Sequence, residues 1–235
     1  MSLTDHPTDA PTTDSAPSGS PHFNPSPSAQ QAQSGDGPRD IALVFIGDSY
    51  TAGYGDPKGW GWVTRVLGRI PRAEADVTAY NLGVRGDSSG DVLARWRTEC
   101  PPRWKDRPER RLVIGVGSND VRQGMSTARS RLNLANVLDD AAATGISTFV
   151  VGPPPVLDDA VNARLEIVVE AQADVCNRRR VPYVDCFAPL LSHEQWTSDL
   201  SASPDGVHPG QAGYGLLAWL VVHGGWGSWL RVADL

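Results

Sequence analysis

The chain of 235 residues contains only three cysteines, Cys100, Cys176 and Cys186, and no Cys-x-x-Cys pair. An odd number without paired spacing argues against a disulfide framework or a thiolate zinc site, and incidental thiols fit a reducing compartment. The five histidines show no metal-ligand spacing, so no metal is expected. No apolar run approaches the roughly 18 to 20 residues needed to cross a bilayer. The start, Met-Ser-Leu-Thr-Asp-His-Pro, has no basic stretch leading into an apolar one, so no signal peptide is read. A cytoplasmic protein is the resulting expectation. Positive charge is not in excess either. The formal net charge is −6, of which residues 1–40 carry −4, and the near-neutral remainder offers no electrostatic footprint for nucleic acid. The one basic run, Arg103 to Arg111, is interrupted by Asp106 and Glu109 and reads as a solvated loop before a strand. No Gly-x-Gly-x-x-Gly follows the first apolar run, which disfavours a nucleotide-binding domain.

What is present divides the chain into two parts. Residues 1–38 are rich in Pro, Ser, Thr, Asp, Gly and Gln with almost no large apolar side chains. Such a segment cannot bury enough surface to offset its ordering entropy and is expected to be a disordered tail. Residues 39–235 read as one domain. The continuous apolar run Ile41–Ile46, closed by Gly47, predicts a strand buried on both faces. Further strands are expected at Val77–Asn81, Leu112–Val116, Ser147–Val151 and Pro182–Asp185. Helical patterns lie between them at Trp60–Ile70, Ser89–Glu99, Ser126–Thr144, Asp158–Arg178 and Pro209–Leu220. Alternating strand and helix predicts an α/β fold of three layers (α/β/α) around a parallel sheet of about five strands. Four short segments, Gly47–Ser49, Gly83–Asp87, Gly117–Asp120 and Gly152–Pro155, fall just after strands, at the carboxyl edge where open α/β sheets assemble their sites.

The first three of these segments, with Asp205-Gly206-Val207-His208 near the end of the chain, hold residues suited to acyl transfer. Ser49 follows a strand and a Gly-Asp pair, where its hydroxyl stands free on a tight turn and needs only an adjacent base to become a nucleophile. Taken alone it also fits a helix cap, and its surroundings are not the Gly-x-Ser-x-Gly of a nucleophile elbow. His208 is the candidate base. Asp205, three residues before it, is placed to orient its Nδ1 side, and Pro209 suits the first turn of the last helix. Donors for a developing oxyanion are the Ser49 N–H, the Gly86 N–H, where the missing Cβ allows close backbone approach, and the Asn119 side-chain amide. Gly86 and Asn119 also fit plain turns.

Together these segments resemble the SGNH hydrolases, the GDSL-type esterases and lipases. Gly47-Asp48-Ser49 is similar to the first block of that family, Asn81–Ser89 with Gly86 to the second, Gly117-Ser118-Asn119-Asp120 to the third, and Asp205-Gly206-Val207-His208 to the last. The likeness covers residues 41 to about 222 and departs at Tyr50, where the family name implies Leu, a change expected to affect packing only. The resemblance implies a flavodoxin-like sheet and a serine esterase with the triad Ser49, Asp205 and His208. It also implies an oxyanion hole of Ser49, Gly86 and Asn119, and no cofactor. The expected partner is a small-molecule ester, with short acyl groups favoured because no long insertion forms a lid. Acyltransferase, lysophospholipase and thioesterase activities on the same fold stay open, as does, more remotely, a non-catalytic binding module. Asp48, Tyr50, Trp60, Trp62 and Arg122 are the candidate substrate contacts, although two tryptophans so placed also fit core packing, and a lone arginine also fits an exposed surface. Trp219, Trp226 and Trp229 are expected to seal the last helix against the sheet.

Overall fold

The computed structural model of the chain describes residues 37–233. The expected disordered tail, residues 1–38, lies outside them except for its last two residues. Five strands, β1 (Arg39–Gly47), β2 (Ala75–Gly83), β3 (Glu109–Gly115), β4 (Ser147–Val151) and β5 (Tyr183–Val184), form one parallel sheet in the order β2-β1-β3-β4-β5. The helices are α1 (Ser49–Ala52), α2 (Gly61–Leu67), α3 (Ser89–Glu99), α4 (Ser118–Arg122) and α5 (Thr127–Ala143). They continue with α6 (Asp159–Arg179), α7 (Ala188–Leu191), α8 (Glu194–Ser201), α9 (Gln211–Val221) and α10 (Gly227–Leu230).

The β1 run is apolar without a break because both faces of the strand are covered. Ile41, Leu43 and Phe45 point into one core with Trp62, Tyr214, Trp226 and Leu230 from α2, α9 and the C-terminal turns. Ala42, Val44 and Ile46 point into the other with Trp96, Leu134 and Leu138 from α3 and α5. This is the period-two alternation of a strand set between two helical layers. On the first face Trp226 stacks at 6.0 Å on Phe45 and meets Phe149 edge-on at 5.4 Å. Trp226 and Trp229 thus seal the sheet as expected, whereas Trp219 is 57% exposed and does not.

The segment Arg103–Arg111 departs from a solvated loop. Trp104 is buried at the end of a 3-10 turn over Pro101–Trp104, and β3 already begins at Glu109. Arg111 is 5% exposed, because its Nη1 donates to the Trp229 carbonyl at 2.6 Å while Nη2 pairs with Glu109 at 2.9 Å. A guanidinium can be buried where such partners replace its water.

The strand order reverses at β1, whose neighbours are β2 on one side and β3 on the other. Connections leave β1 and β3 on opposite faces, so a crevice opens beyond their carboxyl ends, the usual place for a ligand in a doubly wound sheet. Ser49 directly follows β1, and Asn119 follows β3.

Candidate active site

At the end of β1 the chain turns sharply, and the sequence dictates the turn. A Cβ on Gly47 would lie 2.1 Å from the Gly115 carbonyl oxygen, so only glycine lets β1 and β3 stay this close. Asp48 then caps α1, its carboxylate accepting the Tyr50 N–H at 2.9 Å. Ser49 is the first residue of that helix, and its own N–H belongs to the unpaired first turn.

His208 approaches from the loop before α9. Its Nε2 is 2.8 Å from Ser49 Oγ, and its Nδ1 is 2.6 Å from Asp205 Oδ2. The Oδ1 atom of Asp205 accepts the backbone N–H groups of Val207 and His208 at 3.0 and 2.9 Å. Burial pushes the Asp205 carboxyl up, but the hydrogen bonds from the His208 backbone, the His208 ring and Val207 outweigh it and hold the group well below the ordinary carboxylate range. Asp205 therefore stays charged opposite the ring although its side chain is 42% exposed. Ser49 and His208 are each 7% exposed. A hydroxyl, an imidazole and a charged carboxylate in this chain of contacts can move a proton from Oγ to Nε2.

The donors lie alongside. Asn119, at the start of α4, donates through Nδ2 to the Asp87 carbonyl at 3.0 Å, which leaves its second amide N–H available. Gln123 Nε2 donates to the Gly86 carbonyl at 3.0 Å, so two bonds tie α4 to the turn at residues 84–87. Gly86 has φ +88°, and a Cβ there would meet nothing within 4 Å. The left-handed backbone at this position favours glycine. Asp120, fully buried, accepts the Ser89 N–H at 2.7 Å and a hydrogen bond from Ser130, holding α3, α4 and α5 together beneath the turn.

A cavity of about 280 Å³ opens on Ser49. Asn119, Tyr50 and Arg122 line one side, and Val156, Leu157, Val161 and Leu165 form an apolar wall. A larger opening of about 700 Å³, lined by Tyr54, Pro57, Asp199, Ser203 and Pro204, also reaches Asp205 and His208. Of the candidate substrate contacts, Arg122 and Tyr50 line the smaller cavity. Tyr50 does more than pack locally, since its ring lies 5.3 Å from His208 and its hydroxyl donates to the Val207 carbonyl at 2.7 Å. Asp48, Trp60 and Trp62 line neither cavity. Asp48 lies beneath the turn, where burial pushes its carboxyl up to about 7 against hydrogen bonds from Tyr50 and Thr51, with Asp120 and Asp87 acting in the same direction as burial. Trp62 is core, edge-on to Phe45 at 5.6 Å, and Trp60 lies 49% exposed beneath Lys58 and Arg65.

Sequence reasoning did not single out the apolar wall. Val156 and Leu157 follow a proline run, and Val161 and Leu165 look like any i, i+4 stripe of a packed helix. Tyr54 lies edge-on to His208 at 4.8 Å, with the Arg85 guanidinium 3.4 Å over its face. Gly86-Asp87-Ser88-Ser89-Gly90 spells Gly-x-Ser-x-Gly, yet Ser88 is the buried cap of α3, in a reciprocal capping box with Asp91, and meets no histidine among the described residues.

Comparison with known proteins agrees with this architecture. Residues 45–216 match the model of the GDSL-like lipase/acylhydrolase family. The chain is 31% identical over 110 residues to Esterase TesA of Pseudomonas aeruginosa, a match that takes in 47% of this chain and only about half, 53%, of that protein. It is 24% identical over 172 residues to the arylesterase of Vibrio mimicus, covering 71% of this chain and 79% of the relative. The crystal structure of the lipase/acylhydrolase from Enterococcus faecalis superposes with a TM-score of 0.64 at 25% identity, covering 84% of this chain and 98% of that one.

Proposed function

The chain belongs to the GDSL-like lipase/acylhydrolase family, and from that premise we propose that it hydrolyses carboxylic esters of small acids through an acyl-enzyme on Ser49. The observation that carries this reading is the unbroken contact from Ser49 Oγ to His208 Nε2 at 2.8 Å and from His208 Nδ1 to Asp205 at 2.6 Å.

In the first half-reaction His208 Nε2 takes the Ser49 proton as Oγ bonds to the ester carbonyl carbon. The carbonyl oxygen becomes an oxyanion and accepts hydrogen bonds from the Ser49 N–H, the Gly86 N–H and the free amide N–H of Asn119. Asp205 fixes the His208 tautomer and stabilises the imidazolium. Collapse of the adduct breaks the bond to the alcohol oxygen, which leaves with the proton held on Nε2. In the second half-reaction water gives a proton to Nε2 and adds to the acyl carbon. The carboxylic acid departs, and the proton returns to Oγ.

The sizes of the two openings support an assignment of the two halves of the ester. The cavity of about 280 Å³ with its apolar wall takes the acyl group. It lies below the usual range for drug-sized ligands, about 300–1,000 Å³, which favours a short acyl chain. The wider opening, lined by Tyr54 and polar loop residues, takes the alcohol. The esterase and arylesterase names of the relatives support an ester substrate. We place the protein in the cytoplasm, on the three free and buried cysteines, and the hydrolase domain within residues 39–235. Among the described residues no helix is long and apolar enough to cross a membrane.

A fluorophosphonate ester tests the site. Labelling should be stoichiometric, should map by mass spectrometry to the peptide carrying Ser49, and should vanish in His208→Ala. Labelling elsewhere, or none on folded protein, would remove Ser49 as nucleophile.

A further inference from the structure

The acyl cavity carries one feature that hydrolysis of a simple ester does not need. Arg122 follows Asn119 by three residues on α4 and lines the cavity with Ser49 and Tyr50. Its guanidinium makes no hydrogen bond and no ion pair with any described residue, although nine other arginines pair with carboxylates. The carboxylates that share the cavity are engaged elsewhere. Asp158 accepts the Ala160 and Val161 N–H groups at the start of α6, and Asp205 serves His208. Arg85, the other cation near the site, is by contrast stacked on Tyr54. The base of Arg122 is fixed as well, because α4 is tied to the turn at residues 84–87 through Asn119 and Gln123.

We infer that Arg122 is a specificity residue and that the preferred acyl group ends in an anion, so that the substrate is a half-ester of a short dicarboxylic acid. This inference rests on the assignment of the small cavity to the acyl group. The reacting carbonyl lies at Ser49 and the apolar wall takes the intervening methylenes. The far carboxylate meets the guanidinium, whose planar fork matches it in two parallel hydrogen bonds. The cavity admits only a few carbons between the two ends. Because Arg122 is exposed, its effect on rate is that of a solvated ion pair and not of a buried one.

The test compares monoethyl glutarate with ethyl glutaramate, its neutral isostere of nearly equal size, by titrating acid release. The wild type should favour the glutarate in kcat/KM by roughly three- to tenfold. Arg122→Gln should bring that ratio close to one, and Arg122→Lys should retain part of it. Added salt should shrink the wild-type ratio. Each ratio is taken on one enzyme, so a general loss of activity in a variant cancels. A wild type that prefers the amide, or a preference that survives Arg122→Gln, overturns the inference. So does failure on both esters by an enzyme that hydrolyses p-nitrophenyl acetate. An enzyme that cleaves no ester and takes no fluorophosphonate instead removes the esterase reading itself.

Discussion

The two ends of the sheet carry cavities of opposite character. At the amino ends of β3 and β4, an opening of about 680 Å³ is walled by Trp96, Trp104 and Ile146 and edged by Arg97, Arg110 and Asp140. Of its charged groups, Arg97 pairs with Asp140 and Arg110 donates to the Thr144 carbonyl. At the carboxyl ends of β1 and β3 the smaller of the two openings is less than half that size, about 280 Å³, yet a hydroxyl, an imidazole, a carboxylate and a side-chain amide come together there. Size does not separate a functional cavity from a fold in the surface. Convergence of loops from different strands does, because only there do residues distant in sequence meet around one point.

Substitutions at the two ends should therefore separate stability from rate. At the amino end, Trp104→Ala should cost roughly 3–5 kcal/mol of stability, as expected for emptying a buried aromatic site, while kcat/KM of the folded fraction stays within about twofold. At the carboxyl end the pattern should reverse. Asn119→Ala should lower kcat by about 10²–10³, with a much smaller change in the urea midpoint than Trp104→Ala. A Trp104 variant with a slow chemical step, or an Asn119 variant at full rate, would break the contrast.

Asp48 sharpens it, because it lies under the site without lining it. Its folded-state pKa is about 7, against an ordinary value of 3.8, so between these two pH values the folded state binds more protons than the unfolded state. That contribution favours folding below the window and is lost as pH rises through it. Asp48→Asn keeps an oxygen for the Tyr50 N–H. It should flatten the fall in stability between pH 4 and 7, by an amount on the order of a few kcal/mol, as read by urea unfolding at a series of pH values. A pH dependence identical to that of wild type would show that Asp48 does not titrate there. Asp205 behaves in the opposite sense. Its lowered pKa means that its contribution is present above the ordinary carboxylate range and is lost as pH falls below it. The smallest effect is expected at Trp60, half exposed and outside both site cavities. Trp60→Ala should change stability by about 0.5 kcal/mol or less and leave ester turnover within about twofold. A large rise in KM would return Trp60 to the substrate pocket.

Much of the fold was legible because its signals are long. The unbroken run from Ile41 to Ile46 needs cover on both faces, and the patterns over Ser89–Glu99 and Asp158–Arg178 extend through several helical turns. α1, α4, α7 and α10 have only four or five residues, too few for any period to register, and they were not read. At the site, Ser49 was readable because it falls just after the first strand, and Asp205 and His208 because an acid three residues before a histidine suits an imidazole and its orienting carboxylate. The apolar wall of the cavity was not, because apolar residues lining a cavity and apolar residues filling a core are the same residues at the same spacing. Trp60 and Trp62 show the same ambiguity from the other side. One is core and the other is surface, and only the path of the chain after Gly59 separates them.

The central claim is that Ser49 is the nucleophile of an esterase. The most direct measurement is hydrolysis of p-nitrophenyl esters from acetyl to palmitoyl by wild type and Ser49→Ala side by side. The account predicts turnover that is highest for short chains and falls by about 10³ or more in the variant, with far-UV circular dichroism unchanged. A Ser49→Ala protein that retains most of the wild-type rate would contradict it.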